Sequence, residues 1–97
     1  MLGHRIAEMR TSFRWSQVHL AQRLGVAKQT VSNWENDNIQ PSIEMLVRLS
    51  RTFGVTTDYL LGLEDTPRMS LEGLPPSLVA HLSLLADDFR SLSAVKE

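Results

Sequence analysis

Apolar residues stand at Leu2, Ile6, Met9 and Phe13, at steps of four, three and four. That spacing lines one face of an amphipathic helix and predicts a helix over 2–13. Ser16 offers a side-chain oxygen to cap a second helix, in which Val18, Leu20, Ala21 and Leu24 are expected to point inward. Gly25 supplies the stop, so this helix covers 17–24. After Gly25, Val26 and Ala27 the helical pattern restarts at Lys28 and runs to about Asn36, with Val31 and Trp34 three apart. Two short helices joined by a three-residue turn containing glycine make a helix-turn-helix.

The polar run from Asn36 to Gln40, closed by Pro41, breaks the helix, and Ser42 caps the next one, with Glu44 complementing its dipole. That fourth helix is predicted over 43–53, with Ile43, Leu46, Leu49 and Phe53 inside. Thr56 or Thr57 caps a short fifth helix through Tyr59, Leu60 and Leu61, stopped by Gly62. Residues 1–64 therefore read as one compact unit. Residues 65–76, with Pro67, Gly73, Pro75 and Pro76, read as a linker, and 77–97 as a C-terminal segment that is helical over 77–93. No strand alternation occurs, so the predicted fold class is all-α.

In the C-terminal segment Leu78, Leu82, Leu85, Phe89 and Leu92 recur at steps of four, three, four and three, a seam that needs an apolar partner. It spans only about two heptads, short of the three or four that secure a coiled coil. The pattern alone leaves open whether the helix folds back on its own domain or pairs with a second copy. The Pro- and Gly-bearing linker favours pairing.

Size and charge narrow the chemistry. A chain of 97 residues holds one small domain with an appendage, which excludes many small-substrate enzyme folds. It has no cysteine, hence no disulfide, thiolate zinc site or thiol nucleophile, and suits a reducing cytosol. The charged N-terminal residues are unlike a signal peptide, and no stretch approaches the ~18 apolar residues of a membrane span. A cytoplasmic protein without membrane association is expected. His4, His19 and His81 lack metal-ligand spacing, no phosphate-binding glycine loop occurs, and the serines stand at caps and helix faces. No enzyme activity, cofactor or metal is expected.

The net charge of -1 argues, by itself, against nucleic acid, whose non-specific affinity comes from basic groups. The distribution changes that picture. Residues 1–30 hold Arg5, Arg10, Arg14, Arg23 and Lys28 against the single acid Glu8, whereas 65–97 hold Arg68, Arg90 and Lys96 against Asp65, Glu72, Asp87, Asp88 and Glu97. One end can face an anion, although ordinary solvated helices give similar patterns.

On a helical wheel at ~100° per residue, Lys28, Gln29, Ser32, Asn33 and Asn36 fall within roughly 140°, opposite Val31 and Trp34. A merely solvated face is more often built from Glu and Lys, which are better helix formers. Amides donate and accept, and one amide matches the N7 acceptor and N6 donor of adenine in the major groove. A plain polar surface helix is the alternative.

The run from Gln17 to Asn36 (QVHLAQRLGVAKQTVSNWEN) resembles the helix-turn-helix of the phage repressor/Cro family, the XRE-type regulators. Ala21 stands where the helices cross, Gly25 makes the turn, and Val31 and Trp34 anchor the third helix. The resemblance continues through Pro41-Ser42 and Gly54-Val55 to the stretch Asp58–Gly62, covering about residues 3–63. It implies a five-helix, lambda-repressor-like DNA-binding domain carrying a C-terminal amphipathic helix. It also implies a sequence-specific regulator, a repressor, that binds a palindromic operator in double-stranded DNA as a homodimer. By position, Lys28, Gln29, Ser32 and Asn33 take base-contacting roles, and Gln17, Thr30 and Asn36 backbone-contacting ones. Arg10 and Glu35 match a structural ion pair.

Two positions depart from the family pattern. Ala27 stands where Ser or Thr usually caps the third helix, and Ser42 where some relatives carry a basic residue. Leu78, Leu82, Leu85, Phe89 and Leu92 are the expected dimerisation residues. The segment is too short for a sensor domain, which points to control by a regulatory protein partner or through protein levels. The alternative function is an antitoxin that binds its own promoter and a toxin protein; a third is a helical adaptor that has lost DNA binding.

Overall fold

A computed structural model describes residues 1–68 and 71–96, with 92–96 described by backbone alone. The chain forms α1 (Leu2–Ser12), α2 (Gln17–Leu24), α3 (Lys28–Glu35), α4 (Ile43–Phe53), α5 (Thr57–Leu60) and α6 (Pro76–Lys96). There is no strand among the described residues. The fold is all-α, as the periodicity predicts, and the helix boundaries follow local chemistry.

Ser16, Ser42 and Thr56 each accept the backbone N–H three residues on, from His19, Met45 and Tyr59, at 3.0, 3.1 and 3.0 Å. Of the two threonines that could cap α5, Thr56 is the one used. Gly25 and Gly54 close α2 and α4 in the left-handed conformation, both at φ 70°, which a Cβ disfavours. Phe13 lies just past the end of α1. α6 opens at Pro76, one residue before the predicted start, where a missing N–H costs the helix nothing.

The core is Ile6 from α1, Leu20, Ala21 and Leu24 from α2, Val31 and Trp34 from α3, Leu49 and Phe53 from α4, and Val55, Tyr59 and Leu60 around α5. Burying each larger member is worth about 1.5–3 kcal/mol. α3 packs on both α2 and α1, while α1 also meets α4 and α5; α6 enters none of these packed pairs.

Two inward assignments fail. Val18 is 47% and Ile43 83% exposed. Each stands three residues before an inward position, Ala21 or Leu46, yet lies roughly 100° around its helix from the middle of the buried face, at the edge of the packed side. Phe13 is 40% exposed, but its ring still meets Trp15 and Phe53 at centroid distances of 4.7 and 5.7 Å.

The start of α1 is capped from outside. Met1 brings no side-chain cap, and Asp37, three residues after Trp34, accepts the Gly3 N–H at 3.1 Å instead. Asp37 has φ 58°, a conformation that Asp tolerates better than most residues. A Cβ on Gly3 would collide with the carbonyl of Trp34 and stand 2.7 Å from that of Glu35, so glycine lets α1 abut the end of α3. At the other side of α1, the Arg5 guanidinium donates to the carbonyls of Tyr59 and Glu64 and lies 4.0 Å from the Tyr59 ring centroid.

Candidate nucleic-acid interface

α3 has two unlike sides. Val31 and Trp34 are 0% and 3% exposed and hold it to the core, while Lys28, Gln29 and Asn36 are exposed and Ser32, Asn33 and Thr30 are half-buried. Polar pairs one turn apart link the outer side. Gln29 Nε2 donates to Asn33 Oδ1 at 3.1 Å, and Asn36 Nδ2 reaches Ser32 Oγ at 3.5 Å. Ala27 provides no side-chain cap, so the first N–H groups of α3 are not covered by a side chain of that residue.

Behind α3 lies a charged clamp. Arg10 Nε donates to Glu35 Oε2 at 2.6 Å and its second amino group to Oε1 at 3.0 Å, a two-pronged pair whose side chains are 14% and 6% exposed. The third guanidinium nitrogen holds the Trp15 carbonyl at 2.8 Å. The hydrogen bond to Glu35 raises the Arg10 pKa above its ordinary value despite partial burial. Gln17 Nε2 donates to Glu35 Oε1 at 2.9 Å. One carboxylate thus joins the end of α1, the start of α2 and the end of α3.

Sequence reasoning assigned Gln17 only an outward contact and missed its bond to Glu35. It also passed over Trp15, whose ring stacks on His19 at 5.0 Å and lies under Arg23 at 4.6 Å. The spacing 15, 19, 23, one turn at each step, carries that signal. Of the N-terminal bases, Arg5, Arg10 and Arg23 are engaged with other groups of the chain, and Arg14 and Lys28 are exposed.

α6 stands apart from this face. Leu78, Leu85 and Phe89 are 41%, 52% and 64% exposed, and Leu82 is half-buried in a shallow groove shared with Leu71, Ala86 and Arg90. The side chain of Leu92, the last member of the expected seam, lies outside the described residues.

Comparison with known proteins agrees with this architecture. The Helix-turn-helix family model matches residues 6–60, more than half of the chain. The chain is 34% identical over 67 residues to the HTH-type transcriptional regulator ImmR of Bacillus subtilis (strain 168), an alignment covering 69% of this chain and 53% of ImmR. It thus spans only about half of that relative's length. Among solved structures, the P22 c2 repressor in complex with a synthetic operator superposes with a TM-score of 0.60 at 32% identity, covering 62% of this chain and 91% of that one. A chain of the SinR/SinI protein complex superposes with a TM-score of 0.62 at 26% identity over 99% of this chain and 94% of that one. A five-helix domain of the lambda-repressor type, this motif and these relatives together establish that the chain belongs to the helix-turn-helix family of the phage repressor/Cro, XRE type.

Proposed function

We propose that this protein is a sequence-specific DNA-binding transcriptional regulator that represses from a palindromic operator as a homodimer. The observation that carries the reading is α3 itself, locked to the core by Val31 and Trp34 while its amide and hydroxyl side stays open. In this reading Lys28, Gln29, Ser32 and Asn33 meet base edges in the major groove, and Gln17, Thr30 and Asn36 meet the sugar-phosphate backbone. The N-termini of α2 and α3 add oriented N–H groups that suit phosphate. The operator-bound P22 c2 repressor supports this use of the fold.

Residues 1–64 form the reading unit, 65–76 a linker, and α6 the dimerisation element, with Leu78, Leu82, Leu85, Phe89 and Leu92 facing the partner. Two-fold pairing sets two copies of α3 in successive major grooves, roughly 34–36 Å apart. The protein acts in the cytoplasm; no helix among the described residues is long and apolar enough to cross a membrane. A gel-shift titration against the protein's own upstream DNA, with random duplex as competitor, tests the function. Retention of a specific band in excess competitor is expected, and equal affinity for both duplexes refutes it.

The open stripe on α6 favours a second reading, in which a helix of another protein takes the place of the second copy. The likeness to a chain solved in the SinR/SinI protein complex runs over α6 as well. Either an antagonist or a toxin fits that role, and a protein crosslinked specifically through Leu85 or Phe89 positions in cells distinguishes it from self-pairing.

A further inference from the structure

The apolar stripe of α6 is flanked by two unlike edges. Leu78, Leu82, Leu85 and Phe89 take alternating core positions of a heptad, and Leu78, Leu85 and Phe89 stand open to solvent. One flank holds Val79 and Ala86, both half-buried, with Leu71 of the preceding segment in the groove beside Leu82 and Ala86. The other flank holds His81 and Asp88, both exposed and without a hydrogen-bond or ion-pair partner among the described residues. The neighbouring Asp87 is already paired with Arg90 at 2.9 Å. One edge is thus apolar, and the other offers a basic and an acidic group one full heptad apart.

Two copies can stack these stripes in either direction, and the flanks decide between them. A parallel pair sets the apolar flank of one helix against the polar flank of the other, so Ala86 meets His81 and Asp88 meets no cation. An antiparallel pair sets like flanks together. Centred between Ser83 and Leu84, it stacks Leu78 on Phe89 and Leu82 on Leu85 of the second copy, with Val79 facing Ala86 on one side and His81 facing Asp88 on the other. The two-fold axis makes every contact twice. An antiparallel register centred on Asp87 instead brings Asp88 against Asp88 of the second copy, and the like charges repel.

We propose that α6 pairs antiparallel in the first of these registers, closed by two reciprocal His81–Asp88 contacts. This rests on the homodimer reading above and adds the direction and register of the helices. It also sets the two domains apart: the Pro76 ends stand roughly 22 Å from each other along the pair, against the ~8–10 Å between the axes of parallel helices. The linkers then have less to span in reaching grooves roughly 34–36 Å apart.

The chain has no cysteine, so introduced thiols report the direction cleanly. Leu78→Cys and Phe89→Cys are made separately in the full-length chain and oxidised in a glutathione buffer. Neither variant alone is expected to give a crosslinked dimer, whereas an equimolar mixture gives the mixed disulfide. Leu82→Cys with Leu85→Cys repeats the measurement at the inner layers. A single variant that crosslinks to itself as readily as the mixture overturns the antiparallel direction, and so does the absence of a mixed disulfide at both layers from chains that sediment as dimers. His81→Glu faces Asp88 twice and is expected to weaken pairing about threefold or more; adding Asp88→Lys to the same chain restores it. A dimer constant that His81→Glu leaves unchanged overturns the contact between these flanks. A wild-type chain that sediments as a monomer at tens of micromolar overturns the homodimer reading and the direction together.

Discussion

Asp37 Oδ1 accepts the backbone N–H of Gly3, so a residue two positions past the end of α3 caps α1 across 34 positions of sequence. The same junction leaves no room for a side chain on Gly3. Gly3→Ala is therefore expected to destabilise the domain by about 1–3 kcal/mol through forced separation of α1 and α3. Asp37→Ala loses the cap and costs about 1 kcal/mol, whereas Asp37→Asn keeps an acceptor and tolerates the same backbone. Urea unfolding of the three variants checks the order; a neutral Gly3→Ala contradicts the close approach.

Arg10→Met leaves Glu35 with its charge largely enclosed and is expected to cost ~3–5 kcal/mol. The low exposure of both side chains removes the solvent screening that makes surface pairs weak. Thermal melting with van't Hoff analysis reads this directly, and a loss below about 1 kcal/mol shows that the pair behaves as a surface contact.

Ala27→Ser adds the missing N-cap of α3. It is expected to stabilise the domain by about 0.5–2 kcal/mol. In the DNA-binding reading it also tightens binding to every duplex alike, because a cap hydroxyl faces phosphate rather than base. Chemical denaturation and binding to operator and random DNA separate the two effects; a gain restricted to operator contradicts a backbone contact.

Lys28→Ala is expected to weaken operator binding and, if its ammonium neutralises a phosphate as well as meeting a base edge, to lower the salt slope by about 1. Because the charge of Arg10 is paired with the Glu35 carboxylate of the same chain, Arg10 contributes no free charge to that slope. Affinities measured from low to moderate salt give both numbers, and an unchanged slope assigns Lys28 to base readout alone.

Removing the chain beyond residue 65 is expected to leave a folded monomer with steeply reduced operator affinity. Leu85→Glu with Phe89→Glu, which keeps the full length, is expected to act alike by placing charge in the seam. Sedimentation at tens of micromolar checks this, and a truncated chain that still sediments as a dimer moves the dimer contact into residues 1–64.

The helices of residues 1–64 were readable because their signals are local: serine or threonine before a helix, glycine after it, apolar residues at three and four. The third helix was readable for the same reason, its amides gathering on one side of a short segment. Step counting failed at Val18 and Ile43, where each residue lies a turn from the core set but around the side of the helix. The links that hold the candidate interface were largely invisible. Gln17 and Glu35 are 18 residues apart and Gly3 and Asp37 are 34 apart, and no periodicity reports which distant polar groups meet.

The carboxylate of Glu35 is gripped from two sides in the free chain, so the tilt of α3 is set before any ligand arrives. A reading helix fixed in this way has little freedom to adjust to a groove that does not match it. In the DNA-binding reading proposed above, the deformation then falls on the duplex, and its stiffness enters the affinity: base steps that bend or narrow easily at the centre of a two-fold site lower the cost, even where no side chain reaches them. On that reading, operators differ in strength through positions the protein never touches.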